Sequence, residues 1–242
     1  MATFAPRTSA SRSRNAPRFD GGLPPGGGEG QAASSNFEMR VRRARLGMSV
    51  ALTGIVMIFI SFSSAYIVRK GLPSFDPRTN SLTNDWLRVR LPASLLINTC
   101  VLVVSSLTME LARRQAARDV LLARVSSIRG PSAADKNRIS WLTITVVLGL
   151  SFLVGQLMVW RELAAMGFYL ATSPSSSFVY LLTGVHGVHL TGGVLALLFA
   201  GVASLLHRSA ESQYVTLDVT GWYWHFMALL WVYIFCVLEF VR

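Results

Sequence analysis

Five long apolar runs, separated by shorter polar stretches, dominate the pattern of hydrophobic positions along the chain. They cover residues 46–68, 91–111, 139–160, 178–206 and 221–241. Each run reaches the length of about 20 residues that an α-helix needs to cross a lipid bilayer. Because backbone groups in lipid must bond to one another, each run predicts a transmembrane helix. The pattern therefore predicts an all-α fold, a polytopic membrane bundle of five transmembrane helices within residues 39–242.

The segment before the first run has a different composition. Residues 1–38 are rich in Arg, Ser, Pro and Gly and contain few apolar residues. Such a segment cannot bury enough apolar surface to fold alone, so we expect a disordered tail. The first apolar run begins only at Leu46 and is followed by Arg69 and Lys70. It therefore reads as a first membrane span and not as a cleaved signal peptide.

Composition and charge support a membrane protein. Of the 242 residues, 52% are hydrophobic and 14% are charged, whereas about 25% are charged in soluble domains. The formal net charge is +11. The Lys and Arg residues lie mainly outside the runs, where they favour anionic lipid head groups over nucleic acid as partners. The two cysteines, Cys100 and Cys236, both lie in apolar runs, which predicts neither a disulfide framework nor a cysteine metal site.

The distribution of basic residues predicts the orientation. The N-terminal segment and every second loop after it contain 16 Lys and Arg residues, and the opposite side contains 7. Basic residues concentrate on the cytoplasmic side of membrane proteins. We therefore expect the N-terminus in the cytoplasm and, with five spans, the C-terminus outside.

The fourth run carries two histidines inside an apolar segment. At 100° per residue, one helix face holds His186, His189, Gly193, Ala196 and Ala200, and the opposite face holds Gly184, Gly187 and Thr191. Small residues permit close helix packing in lipid, so the two faces predict two helix neighbours. We expect the histidines to hydrogen-bond those neighbours. Metal or haem ligation is the alternative, although no acid accompanies the pair to accept the second N–H of a ligating ring.

Three other runs carry polar or small residues at helical spacing, which predicts further contact faces between helices. These residues are Ser49, Thr53 and Ser64 on the first run, Ser94, Asn98 and Ser105 on the second, and Thr145, Gly149 and Gln156 on the third. The 12 acidic residues lie in the tail, in predicted loops or at the ends of runs. This placement disfavours a pump or an ion-coupled transporter, which needs acids within the bilayer.

Four motifs resemble one family, in the order in which that family has them. They are LPASLLINTCVLVVSSLTMELA at 91–112, GQLMVW at 155–160, TGVHGVHLTGG at 183–193 and GWYWHFMALLWVYIF at 221–235. Together they resemble subunit III of the haem–copper respiratory oxidases. The motif and packing residues are Asn98, Thr99, Gln156, Thr183, Gly184, His186, Gly187, His189, Gly193, Trp224, His225 and Trp231.

The resemblance implies a five-helix bacterial form of this subunit, embedded in the cell inner membrane. It implies direct contact with oxidase subunit I, association with subunit II, and phospholipid binding. It also implies that the chain has no catalytic residues and no haem or copper of its own, because those cofactors belong to partner subunits. The complex would reduce oxygen to water with electrons from cytochrome c or quinol, and would translocate protons.

Three departures from the family pattern leave alternatives open. Ile55, Val159 and Ala228 stand where the family has carboxylates, which puts a proton-collecting role in doubt. The alternatives are subunit III of a quinol oxidase and a divergent accessory protein of a nitric oxide reductase. An alternative of another class is a haem b protein in which His186 or His189 faces His225, although their predicted depths differ by several ångströms.

Overall fold

A computed structural model describes residues 26–76, 80–83, 86, 92–125, 133–170, 172–205 and 210–240. These residues form five helices and one short hairpin. The helices are α1 (Gly26–Gly71), α2 (Ser94–Val125), α3 (Ala133–Ala165), α4 (Pro174–Leu205) and α5 (Ala210–Phe240). The chain divides into two compact units, residues 1–38 and 39–242. The described part of the first unit is the N-terminal portion of α1.

Each of the five helices contains a segment long and apolar enough to cross a membrane. The fold class predicted from the hydrophobic runs is therefore confirmed. The length of the runs explains this agreement. In lipid, a run of about 20 apolar residues is stable as a helix because the helix pairs all of its backbone N–H and C=O groups within the run.

The helices extend well beyond the apolar runs. Residues 112–125, 133–138 and 210–220 are helical, so the prediction of loops there was wrong. The segment after the second run, ARRQAARDV at 112–120, consists mainly of strong helix formers and contains neither Gly nor Pro. Residues 26–38 are also helical, which the composition of the tail did not predict. Residues 1–25 lie outside the described part of the chain.

The junction between α3 and α4 is fixed by local hydrogen bonds. Gly167 has a φ of 87°, and Phe168 N donates to Leu163 O at 3.0 Å, so α3 ends in a Schellman motif. Ser173 caps α4, because Ser176 N donates to its Oγ at 3.3 Å and Ser173 N donates to Ser176 Oγ at 3.2 Å.

A short antiparallel hairpin follows α1. Strand β1 (Ser74–Asp76) pairs with β2 (Ser81–Thr83), within a region that the sequence predicted only as a loop. Asn80 has a φ of 47°, a left-handed conformation that Asn tolerates better than most residues.

Four helices pack directly against one another. Helix α2 packs against α3 and α5, and α4 packs against the same two helices. Among the described residues, no Cα of α1 lies within 8 Å of a Cα of another helix. Helix α1 instead reaches its neighbours through long side chains, such as Phe59, whose ring centroid lies 6.0 Å from that of His189 on α4.

Candidate functional site

Two buried tryptophans of α5 bond to hydroxyl groups of α2. Trp224 Nε1 donates to Ser105 Oγ at 3.2 Å, and Trp231 Nε1 donates to Thr99 Oγ1 at 3.0 Å. Both indole rings are fully buried or nearly so. A buried N–H that finds an acceptor avoids the desolvation penalty of an unpaired polar group. The two bonds therefore fix the rotation of α5 against α2.

A third tryptophan joins α3 to α4 in the same way. Trp160 Nε1 donates to Thr183 Oγ1 at 3.1 Å, and that hydroxyl donates in turn to Val179 O at 2.7 Å. Thr183 opens the histidine motif, so the motif begins with a contact between helices.

Small residues make room for Trp224. A Cβ at Gly149 of α3 would lie 2.7 Å from the Trp224 ring, and a Cβ at Gly193 of α4 would lie 3.3 Å from it and 2.9 Å from Tyr223 Cε1. Real Cβ atoms do not approach other atoms this closely. The predicted contact face at Gly149 and Gly193 is therefore present, and Trp224 is what fills it.

The opposite face of α4 does not pack in this way. A Cβ at Gly184 would lie 3.8 Å from Trp160, and a Cβ at Gly187 would meet no atom of another residue within 4 Å among the described residues. Thr191 is exposed and donates to Gly187 O on its own helix. The second helix neighbour predicted for this face is not supplied by the described part of the chain.

The polar residues of α2 and α3, each set predicted to form a contact face between helices, face one another. Ser105 Oγ donates to Thr145 O at 3.1 Å, and Asn98 Nδ2 donates to Gln156 Oε1 at 3.5 Å. A Cβ at Gly155 would collide with the Asn98 side chain, so this glycine is required for the close approach.

The contact face predicted on α1 is not in contact with another helix at Ser49 and Thr53. Ser49 and Thr53 are exposed, and their hydroxyls donate to carbonyl groups four residues earlier on the same helix. The prediction that they contact another helix was wrong for the described bundle. Hydroxyl groups in apolar helices can satisfy themselves locally, and sequence spacing does not distinguish the two cases.

His186 and His189 face different neighbours. His186 is fully buried between Phe152 and Trp231, at ring distances of 5.9 and 4.9 Å. Neither of its ring nitrogens has a hydrogen-bond partner among the described residues, contrary to the sequence prediction. His189 faces Phe59 on α1, and its Nδ1 lies 2.8 Å from Val185 O on its own helix.

His225 faces α2. Its Nδ1 lies 2.6 Å from Ser106 Oγ, and its Nε2 lies 3.5 Å from Glu110 Oε2. On α5, the residue that packs on His186 is Trp231. Trp231 lies six residues after His225, or about 9 Å along the helix axis, so His186 and His225 lie at different heights in the bundle. The three histidines therefore do not converge on one plane, which does not favour a haem held by His186 or His189 together with His225.

An ion-pair cluster joins three helices at the end of the bundle where α5 begins. Asp218 is fully buried, and both of its carboxylate oxygens accept from Arg45 of α1, at 2.7 and 2.9 Å. Arg113 of α2 donates to the same carboxylate at 3.2 Å. We call this set, together with Glu110 and His225, the Asp218 cluster.

Glu110 completes the cluster on α2. It accepts from Arg113 at 2.8 and 3.0 Å and from Arg114 at 2.8 Å. A buried carboxylate needs such partners because removal from water is costly. The sequence placed Asp218 in a loop, so this cluster was missed. The available signal was the absence of Gly and Pro from residues 210–220, which permits the helix to begin earlier.

The positions where the resembled family has carboxylates face the interior. Val159 and Ala228 are 2% and 7% exposed, and Ile55 is partly buried against the core. Apolar side chains thus fill these three places. Within the described residues, no group of three or more His, Cys, Asp or Glu side chains could hold a metal ion.

A cavity of about 390 Å³ lies between α3 and α4 at the opposite end of the bundle. We call it the α3–α4 pocket. Its lining consists of Leu157, Trp160, Arg161 and Ala164 on α3, Tyr180 on α4, and Tyr169 and Leu170 in the connection between them. No prediction from the sequence included this pocket, because its wall depends on how the connection folds back.

Comparison with known proteins gives one consistent family. Residues 29–241 match the family model described as cytochrome c oxidase subunit III. This match extends across all five helices.

Curated relatives carry the same description. The probable cytochrome c oxidase subunit 3 of Nocardia farcinica is 26% identical over 209 residues, covering 84% of this chain and 90% of the relative. The cytochrome c oxidase subunit 3 of Synechocystis is 30% identical over 196 residues, covering 78% and 72%. The probable subunit 3 of Mycobacterium tuberculosis is 36% identical over 102 residues, covering 42% of this chain. The chain spans about half the length of this mycobacterial relative, since the alignment covers 50% of it.

Proposed function

Because the chain belongs to the cytochrome c oxidase subunit III family, we propose that it is the non-catalytic subunit III of an aerobic respiratory terminal oxidase. In this role it binds subunit I, stabilises it, and binds phospholipid, while the haems and copper reside in partner subunits. The observation that carries the proposal is the family match over residues 29–241. The structure adds support, because the tryptophan, threonine and glycine residues of the motifs pack helices together.

The proposal includes a place and an orientation. We assign the chain to a bacterial inner membrane, with its N-terminus in the cytoplasm and its C-terminus outside. The 16 to 7 asymmetry of basic residues supports this orientation. A reporter enzyme that is active only outside the cytoplasm should be inactive when fused after Asn36 and active when fused after Arg242. Equal activity of the two fusions would contradict the orientation.

The electron donor in this proposal is cytochrome c. The similarity to cytochrome c oxidase subunits of other bacteria supports this choice over quinol and over a nitric oxide reductase.

Deleting the gene for this chain tests the stabilising role. Membranes of the deletion strain should retain subunit I, but their oxidase activity should decay faster during turnover or mild heating than that of the parent strain. A plasmid copy of the gene should restore the parental half-life. An unchanged half-life in the deletion strain would contradict the stabilising role.

A further inference from the structure

We propose that the interior of the bundle binds a water molecule, held between a ring nitrogen of His186 and the side-chain amide of Gln156. The site lies where α2, α3, α4 and α5 meet. It gives a partner to polar atoms that the protein itself leaves unbonded there. The inference concerns the interior of this chain alone, so it does not depend on the proposed function.

Three buried polar atoms of this region have no hydrogen-bond partner among the described residues. They are both ring nitrogens of His186 and Nε2 of Gln156. His186 is 0% exposed and Gln156 is 3% exposed, so neither side chain reaches bulk water. A buried donor or acceptor that stays unbonded destabilises a fold, because it has lost its hydrogen bonds to water. Two such side chains in one core therefore indicate a small ligand that bonds to both.

His186 and Gln156 lie at the same height in the bundle. Helices α3 and α4 are antiparallel, because Trp160 bonds to Thr183 while the earlier residue Phe152 packs against the later residue His186. From the Trp160–Thr183 bond, Gln156 lies four residues back along α3, or about 6 Å, and His186 lies three residues forward along α4, or about 4.5 Å. Both steps lead in the same direction, so the two side chains are nearly level.

Helix α3 turns Gln156 toward His186. Phe152, whose ring centroid lies 5.9 Å from that of His186, precedes Gln156 by one helical turn and therefore shares its face of α3. Val159 follows on the same face and is also buried, but its side chain has no polar atom. On this face of α3, Gln156 is thus the polar residue level with the histidine.

Helices α5 and α2 close the site on its other sides. Trp231 of α5 packs on His186 at a ring distance of 4.9 Å and donates to Thr99 of α2. The residue before Thr99 is Asn98, whose Nδ2 donates to Gln156 Oε1 at 3.5 Å. This contact is longer than the usual distance of about 2.9 Å, and polar contacts of such length are those in which water commonly takes part.

Water fits the donors and acceptors of this site. A neutral imidazole ring has one N–H donor and one acceptor nitrogen, and Gln156 Nε2 is a donor. One water molecule can accept from the amide and donate to the ring at the same time. An apolar gas such as dioxygen would leave both groups unbonded. A side chain of another subunit cannot reach His186, because the surrounding helices bury it completely.

X-ray hydroxyl-radical labelling tests the proposal. Irradiation splits water into hydroxyl radicals, which oxidise the side chains beside a bound water molecule even where bulk water has no access. The chain is purified with its partners from native membranes, irradiated briefly, and analysed by mass spectrometry for oxidation of each tryptophan.

Two tryptophans of α5 form a matched pair for this measurement. Trp224 and Trp231 are 0% and 1% exposed, and each donates to a hydroxyl group of α2. They differ in their neighbours, since Trp231 packs on His186, whereas Trp224 fills the space beside Gly149 and Gly193. We expect radical oxidation of Trp231 and none of Trp224.

Substitutions identify the groups that hold the water. His186→Phe keeps an aromatic ring but removes both nitrogens, and Gln156→Met keeps the chain length but removes the amide. Each should abolish the oxidation of Trp231. His189→Phe is the control, because Nδ1 of His189 already bonds to Val185 O on its own helix, and it should leave the oxidation of Trp231 unchanged.

Two results would overturn the proposal. One is equal oxidation of Trp231 and Trp224 in the wild-type chain, which would show that water is not bound beside His186. The other is oxidation of Trp231 that persists in His186→Phe. The first comparison uses no variant, so it decides the question even if a substitution prevents folding.

Discussion

Helices α1 and α5 both cross the membrane region, but they are held in different ways. Within the most apolar stretch of each helix, 17% of α1 is buried inside the described structure, against 44% of α5. Helix α5 packs against α2 and α4 directly. Helix α1 is attached by separate side chains, with Arg45 just before its apolar run and Tyr66 near the end of that run.

The comparison shows two ways of assembling apolar helices without a hydrophobic driving force. The α5 interface uses close approach, in which glycines admit the ring of Trp224 and hydroxyl groups accept from indole N–H groups. The α1 attachment uses the long reach of one ion pair and a few aromatic rings. We therefore expect changes in the α5 interface to affect the whole bundle and changes in the α1 attachment to act locally.

The largest effect should follow from removing the central ring of the α5 interface. Trp224→Ala leaves a cavity and removes the indole N–H that donates to Ser105 Oγ, and should lower the free energy of unfolding by about 3–5 kcal/mol. Thermal unfolding of the purified chain in detergent, followed by circular dichroism, measures the change. Trp222→Ala is the control, because Trp222 is 43% exposed. Equal losses in the two variants would show that Trp224 does not organise the core.

A smaller and more local effect should follow from breaking the α1 attachment. Asp218→Asn keeps the shape but removes the charge that faces Arg45 and Arg113, at a cost of about 2–3 kcal/mol, because both arginines are partly exposed. Hydrogen exchange should accelerate in residues 39–50 of α1 and remain slow in the middle of α5.

A control and a double variant sharpen this test. Glu162→Gln changes an exposed acid that accepts from Ser94, and it should leave hydrogen exchange unchanged. Adding Arg45→Gln to Asp218→Asn should cost less than the sum of the two single changes, since both act on one ion pair. Uniform acceleration of exchange across all five helices would refute the local role of the Asp218 cluster.

A matched pair of glycine substitutions compares a closely packed position on α3 with an open position on α4. Gly149→Ala forces a methyl group against Trp224 and should destabilise by about 1–3 kcal/mol. Gly187→Ala adds the same methyl group where no atom of another helix in the described part of the chain lies within 4 Å, and should stabilise the isolated chain slightly because Ala is the better helix former. The two melting temperatures should move in opposite directions. A lower melting temperature for Gly187→Ala would reveal a contact that the described residues do not supply.

The sequence predicted what the bilayer dictates. Apolar length specifies the five spans, and helical spacing placed Ser105 and Gly193 in contact faces between helices, as the structure has them. It did not predict where helices end in water, because charged residues interrupt the apolar run after residue 111, although α2 continues to Val125 and buries Ala112, Ala116 and Val120. Helix termini outside lipid depend on tertiary contacts and local caps, which the hydrophobic pattern does not encode.

The Asp218 cluster and the surroundings of the two His186 ring nitrogens also depend on contacts between residues that are far apart in sequence. Arg45 and Asp218 lie 173 residues apart in sequence, and each alone is typical of a span boundary. Their pairing exists only because α5 begins eight residues before Asp218. The motif identified His186 as important. Spacing alone could not show that its neighbours are aromatic rings, or that its ring nitrogens have no hydrogen-bond partner among the described residues.

The smallest effect should come from the N-terminal segment. Deleting residues 2–35 removes Arg, Ser, Pro and Gly residues and stops before the second compact unit, which begins at Met39. We expect membrane insertion and complex assembly to remain unchanged, as measured by the amount of chain in purified membranes and in the complex. Loss of assembly would show that this segment is a docking arm.

Co-purification with an oxidase tests the central claim most directly. A purification tag at the C-terminus of the chain should isolate, from native membranes in mild detergent, equal amounts of this chain and of a subunit I that contains haem and copper. Recovery of the chain without any haem–copper protein, under conditions in which the oxidase itself stays intact, would contradict the assignment as subunit III.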